Sequence, residues 1–192
     1  MTGSGRSPAT SALGPDPAWR SEVPPRIAWG LSVLAPQPED RILEIGCGPG
    51  VAAALVCERL TTGCLIAIDR SAVAVQRTLR RGAEHVDAGL LAVRQTSLAA
   101  LELPPASVDK AFAINVNLFW VKDADAELEL LNRVLRPGGT LAVLYDSDGP
   151  TSADRIVGPI SRSLHRHGFQ AVETVTGEGG HGVVCRRAAP ER

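Results

Sequence analysis

The chain has 192 residues, 44% hydrophobic and 4% aromatic, with a formal net charge of −1. That length fits one domain with a core of Leu, Val, Ile and Ala, and the near-neutral balance offers no concentrated basic surface, so no nucleic-acid partner is expected. No apolar run approaches the roughly 20 residues of a membrane span, so no membrane partner is expected either. Cys47, Cys57, Cys64 and Cys185 form no CxxC pair, which argues against structural zinc and a disulfide framework. The N-terminus lacks a basic start followed by an apolar stretch, so a cytoplasmic location is expected.

Residues 1–16 are rich in Gly, Ser, Pro, Thr and Ala and read as a disordered arm. Residues 17–38 read as a helical cap. They hold Trp19 and, behind Pro24 and Pro25, an amphipathic helix with Ile27, Leu31 and Leu34 on one face. From residue 39 onward strands and helices alternate. Arg41–Ile45 is the first strand, Val51–Leu60 a helix, and Cys64–Ile68 a second strand closing on Asp69. Ser71 caps a helix expected to carry Val73, Leu79 and Val86 and to end near Gly89. In it Arg77, Arg80 and Arg81 read as one solvated face.

A third strand is expected at Leu90–Arg94, a fourth at Val108–Val116 and a helix at Asp123–Leu135, broken by Pro137-Gly138-Gly139. A fifth strand at Thr140–Tyr145 and a helix at Ser152–His167 precede two last strands, Phe169–Thr176 and Gly182–Arg187. This alternation predicts an α/β fold, a three-layer doubly wound and mostly parallel sheet. The link through Gly177, Gly179 and Gly180 is too short for a parallel crossover, so the final pair forms an antiparallel hairpin.

The most informative stretch is Leu43-Glu44-Ile45-Gly46-Cys47-Gly48-Pro49-Gly50. A glycine turn between a strand and a helix lets backbone approach a ligand closely and exposes unpaired N–H groups. The spacing excludes the dinucleotide fingerprint, because Val51 stands at its third glycine, and no Gly-Lys-Ser/Thr follows for a phosphate loop. Asp69 closes the second strand at the carboxyl edge, where ligands bind in open α/β sheets. Its carboxylate either accepts hydrogen bonds from ribose hydroxyls or caps the helix at Ser71.

The sequence from residue 39 resembles the class I S-adenosylmethionine-dependent methyltransferases. Arg41–Gly50 is similar to their first motif and Leu65–Asp69 to their second strand with its acidic end. Leu101–Asp109 is similar to their approach to strand four, and Leu135–Leu141 to their turn into strand five. The resemblance implies a seven-stranded sheet in the order 3-2-1-4-5-7-6 and S-adenosyl-L-methionine as cofactor, bound by Glu44, Gly46, Cys47, Gly48, Gly50, Asp69, Arg70, Ser97, Leu98 and Asn115. Ser97 departs from the family, whose members often carry Asp there near the adenine amino group. Glu44 either places the donor's amino-acid end or buttresses the turn.

The resemblance implies an acceptor pocket beyond strands four and five, and the candidates there are Asn117, Phe119, Trp120 and Asp146, with Trp19 as a cover. Each has a plainer reading: Asn115 and Asn117 as turn residues, Phe119 and Trp120 as core packing. The family's Asn-Pro-Pro-Tyr signature for methylating base amino groups is absent after strand four. The expected partner is therefore a small-molecule substrate. Asp146 and Asp148 lack further acidic or amide neighbours in sequence, so no metal is expected. His165, His167 and His181 are poor candidate bases, His181 because it falls in the hairpin loop. Because no long insertion follows strand five, a lid is expected either from Trp19 and its neighbours or from a second subunit of a homodimer.

Overall fold

The computed structural model describes residues 23–121, 124–147 and 153–189. The expected arm at 1–16, Trp19, and Asp148 lie outside them. Seven strands form one sheet: β1 (Arg41–Ile45), β2 (Cys64–Asp69), β3 (Leu91–Gln95), β4 (Val108–Ile114), β5 (Leu135–Tyr145), β6 (Phe169–Gly177) and β7 (Gly180–Arg187). Their order is β3-β2-β1-β4-β5-β7-β6. The first five pair in parallel and β7 runs antiparallel to both β5 and β6, as expected.

Helices cover both faces. α5 (Leu118–Val121), α6 (Asp125–Val134) and α7 (Ala153–Arg166) lie on one side, where Leu128, Leu131, Ile156, Ile160 and Leu164 join Leu43, Leu141 and Val143 in one core. On the other side α1 (Pro25–Leu34) and α2 (Val51–Cys57) pack Ile27, Leu31, Leu34, Val51 and Val56 against Ile42, Phe112 and Leu144. Burying each of the three large α1 side chains stabilises the fold by roughly 1.5–3 kcal/mol. α1 is therefore a layer of the core, not a loose cover. The Gly-rich hairpin turn is fixed by this helix. A Cβ at Gly177 would stand 2.4 Å from the Trp29 indole nitrogen, and one at Gly179 would stand 2.5 Å from Trp29 Cβ.

Three expectations are corrected. The helix capped by Ser71 divides at Gly82 into α3 (Ala72–Arg81) and α4 (Ala83–Asp87), because Leu91 of β3 fills the space a side chain at 82 would need. Its buried face carries Val75 and Thr78, while Val73 is 61% exposed. β4 stops at Ile114 and not at Val116, because Asn115 adopts a left-handed φ of 57°. β5 begins at Leu135, directly after α6. Pro137-Gly138-Gly139 forms a bulge inside the strand, with Val108 facing Leu135 and Lys110 facing Thr140. An Arg136–Asp109 ion pair of 2.7 Å pins that bulge.

Candidate functional site

The turn after β1 is built by backbone. Gly46, Gly48 and Gly50 all have positive φ, at 74°, 53° and 77°, where a side chain is strained. The Gly46 and Cys47 N–H groups both donate to the Ile68 carbonyl of β2, at 2.8 and 3.0 Å. Close packing adds a second demand. A Cβ at Gly46 would lie 2.6 Å from Val116 Cγ2, and one at Gly50 would lie 2.7 Å from Thr78 Cα. Gly48 has open space beside it.

Two side chains brace this turn. Asp69 Oδ2 accepts from the Gly48 N–H at 3.0 Å, and Oδ1 accepts from the Ser71 N–H at 2.9 Å. Ser71 itself caps α3, its hydroxyl accepting from Ala74 N–H. Both carboxylate oxygens of Asp69 keep a lone pair for a diol. Thr78, fully buried on α3, donates to the Gly48 carbonyl at 3.2 Å and lies 3.3 Å from Cys47 Sγ. Sequence reasoning missed Thr78, because a threonine within an Arg-rich helix gives no signal until Gly50 is seen against it.

Asp69 opens onto a cleft of about 710 Å³ at the carboxyl ends of β1, β2 and β4. The cleft brings together Gly46, Asp69, Arg70, Ser97, Leu98, Asn115 and Asn117 of the expected residues. Ile45, Ile68, Thr96, Ala99, Val116, Leu118 and Glu127 complete its wall. Glu127, only 6% exposed on α6, was the other omission. Its acidic neighbours marked the turn as a dipole partner, yet its spacing of four from Leu131 put it on the inner face.

Ser97 caps a 3-10 turn, its hydroxyl accepting from Ala100 N–H at 3.3 Å. The Leu98 N–H, first in that turn, has no partner within it. Asn115 Oδ1 accepts from Asp146 N–H at 2.8 Å, so the turn-stabilising reading holds for that oxygen.

Glu44, Cys47, Gly48 and Gly50 lie outside the cleft wall proper. Glu44 is 4% exposed and its Oε2 is sealed with no hydrogen-bond partner. Burial, then the neighbouring Asp69, pushes its carboxyl up to about 8. Burial, opposed by the Thr78 hydrogen bond, pushes the Cys47 thiol up to about 11, which makes it a poor nucleophile. Outside the cleft, Arg77, Arg80 and Arg81 surround Pro49, and Arg81 donates to its carbonyl.

The expected acceptor residues are dispersed. Phe119 is core, 5% exposed, and Trp120 packs on the same cluster with its Nε1 sealed and unpartnered. Asp146 meets Arg26 at 3.3 Å. His181 lies within β7 and not in the hairpin loop. It is buried, its ring 6.3 Å from that of Tyr145, with Nε2 unpartnered. The Tyr145 hydroxyl donates to the carbonyl of Val116, a cleft residue, at 2.8 Å. Among the described residues no three His, Cys, Asp or Glu converge as a metal site, and no helix is long and apolar enough to cross a membrane.

A glycine turn after β1, a carboxylate closing β2 and a terminal antiparallel hairpin together define the class I nucleoside-binding α/β architecture. The chain belongs to the methyltransferase-domain family, whose profile matches residues 42–139, just over half of its length. It is 36% identical over 102 residues to the trans-aconitate 2-methyltransferase of Azoarcus sp. (strain BH72), covering 53% of this chain and 37% of that protein. It is 33% identical over 131 residues to an O-methyltransferase of Pyrenophora dematioidea, covering 66% and 47%. The chain thus spans less than half the length of these two relatives. A SAM-dependent methyltransferase structure from Aquifex aeolicus superposes with a TM-score of 0.68 at 20% identity, covering 89% of this chain and 94% of that one.

Proposed function

We propose that the protein is an S-adenosylmethionine-dependent methyltransferase acting on a small organic acceptor. The observation that carries this reading is Asp69, which braces the glycine turn with one carboxylate and opens onto the cleft with free lone pairs. In this reading Asp69 holds the ribose diol and Gly46 and Gly48 line the methionyl part. The Leu98 N–H and Ser97 read the adenine, and Asn115 and Arg70 border the nucleoside.

The donor supplies an already activated methyl group on a sulfonium. The protein's own task is alignment in a dry pocket, with no obligatory base. The Tyr145–Val116 hydrogen bond and the Asn115–Asp146 bond fix the ends of β4 and β5, beside which the acceptor is proposed to lie. Asn117, Phe119, Trp120 and Asp146 remain its proposed surroundings, with Trp19 or a second subunit as cover. The name of the first relative supports a small acceptor, and that of the second supports oxygen as the attacking atom.

Calorimetric titration should show binding of S-adenosylmethionine and none of NAD, and a panel of small carboxylic acids and phenols should yield S-adenosylhomocysteine. Donor binding without turnover on any acceptor would leave a non-catalytic binding module in its place. The cover is tested by deleting residues 1–22, which spares the buried α1. Turnover should fall with melting temperature unchanged, and light scattering reports any dimer.

A further inference from the structure

Glu44 is an anomaly within an otherwise satisfied turn. It sits near the end of β1 between Ala67 of β2 and Phe112 of β4, neither of which offers a polar side chain. The titratable groups acting on it or acted on by it are Asp69 from β2, Cys47 from the turn and Cys57 from α2. From α3 the nearby polar group is the Thr78 hydroxyl, already engaged with Gly48 and Cys47. No cation stands among them. A carboxylate with its Oε2 sealed from water, and with no donor or counter-charge beside it, is disfavoured against its neutral acid, and the charge on Asp69 adds to that.

The ligand proposed above carries an ammonium, a sulfonium and one carboxylate, a net charge of +1, and the inference rests on that reading. We propose that Glu44 holds a proton in the donor-free protein and releases it when the cationic nucleoside enters, so that donor uptake is a proton exchange. The O–H bond of Glu44 breaks, the proton passes to solvent, and no bond in the donor changes. One positive charge enters and one leaves. Asp69 is not the candidate, because both of its carboxylate oxygens already accept backbone N–H groups. The carboxyl range of about 8 given by burial leaves Glu44 mostly protonated at pH 7.

The experiment is calorimetric titration of S-adenosylmethionine into the full chain at pH 7 in phosphate, Hepes and Tris, whose ionisation enthalpies differ. The slope of observed enthalpy against buffer ionisation enthalpy counts protons released. The wild type should release roughly one more proton than Glu44→Gln, and its affinity should gain about tenfold per pH unit from pH 6 to 8 relative to that variant. Titration of the donor's own α-amino group is common to both proteins and cancels in the difference. If Glu44→Gln misfolds by circular dichroism, the wild type decides by comparison with S-adenosylhomocysteine, which has the same α-amino group and no sulfonium charge, and should release roughly one proton fewer than S-adenosylmethionine. Donor binding with no proton released, or the same release in Glu44→Gln, would overturn the exchange. No donor binding at any pH would overturn the reading of the cleft itself, and this inference with it.

Discussion

At the ends of β1 and β2 the polar atoms are tied to main chain. Asp69 holds two backbone N–H groups, Thr78 holds the Gly48 carbonyl, and Gly46 and Cys47 share the Ile68 carbonyl. At the ends of β4 and β5 two sealed ring nitrogens among the described residues, Trp120 Nε1 and His181 Nε2, have no partner. The first region is a backbone socket whose residue types are dictated by main-chain geometry. The second is assembled from side chains that only the tertiary fold brings together. Glu44 is the exception in the first region, an unsatisfied carboxyl in a finished frame.

That exception gives the largest expected effect. The Glu44 carboxyl titrates at about 8 in the fold against 4.5 for its ordinary value. The folded state therefore binds this proton more tightly than the unfolded chain. Its contribution is fully present below pH 4.5, falls as pH rises towards 8 and then levels. Urea unfolding should show the stability of Glu44→Gln gaining on the wild type by on the order of 1.4 kcal/mol per pH unit across that window. A constant difference between pH 5 and 8 would remove Glu44 from the list of stored costs.

Gly50→Ala comes next. Its Cβ would press on Thr78 Cα at a φ of 77°, so we expect a loss of stability on the order of 3 kcal/mol with donor binding abolished. Wild-type stability in the variant would mean that the turn is softer than its packing implies. Asp69→Ala should weaken the donor by about 2 kcal/mol, near 30-fold. Ser97→Ala should cost under about 1 kcal/mol, since the Ser97 hydroxyl is already engaged as a cap. Calorimetry returning the opposite order would misplace the ribose.

The smallest effect lies in the other region. Trp120→Phe removes an N–H that bonds nothing, so melting should shift by less than about 1 kcal/mol equivalent and donor affinity should not move. A large loss of turnover with donor affinity intact would place that nitrogen against the acceptor.

The same contrast explains what the residues revealed in advance. Gly46, Gly48 and Gly50 were legible because glycine alone takes up those dihedrals without strain, and Asp69 because it closes a strand at the edge where ligands bind. The hairpin was legible from a link too short for a crossover. The phase of α3 was not, because Thr78 must face Gly50 and that contact turns Val73 outward. The start of β5 was misjudged because Pro-Gly-Gly reads as a break locally, yet here it bulges against Asp109. The Tyr145–His181 pair was invisible, since cross-strand register joins residues from distant parts of the chain.

Trp29 wedged against Gly177 and Gly179 has a consequence for biosynthesis. α1 is synthesised well before the hairpin it seats against. The nascent chain must carry this apolar helix without that partner until β6 and β7 have been made, and the contact closes only then.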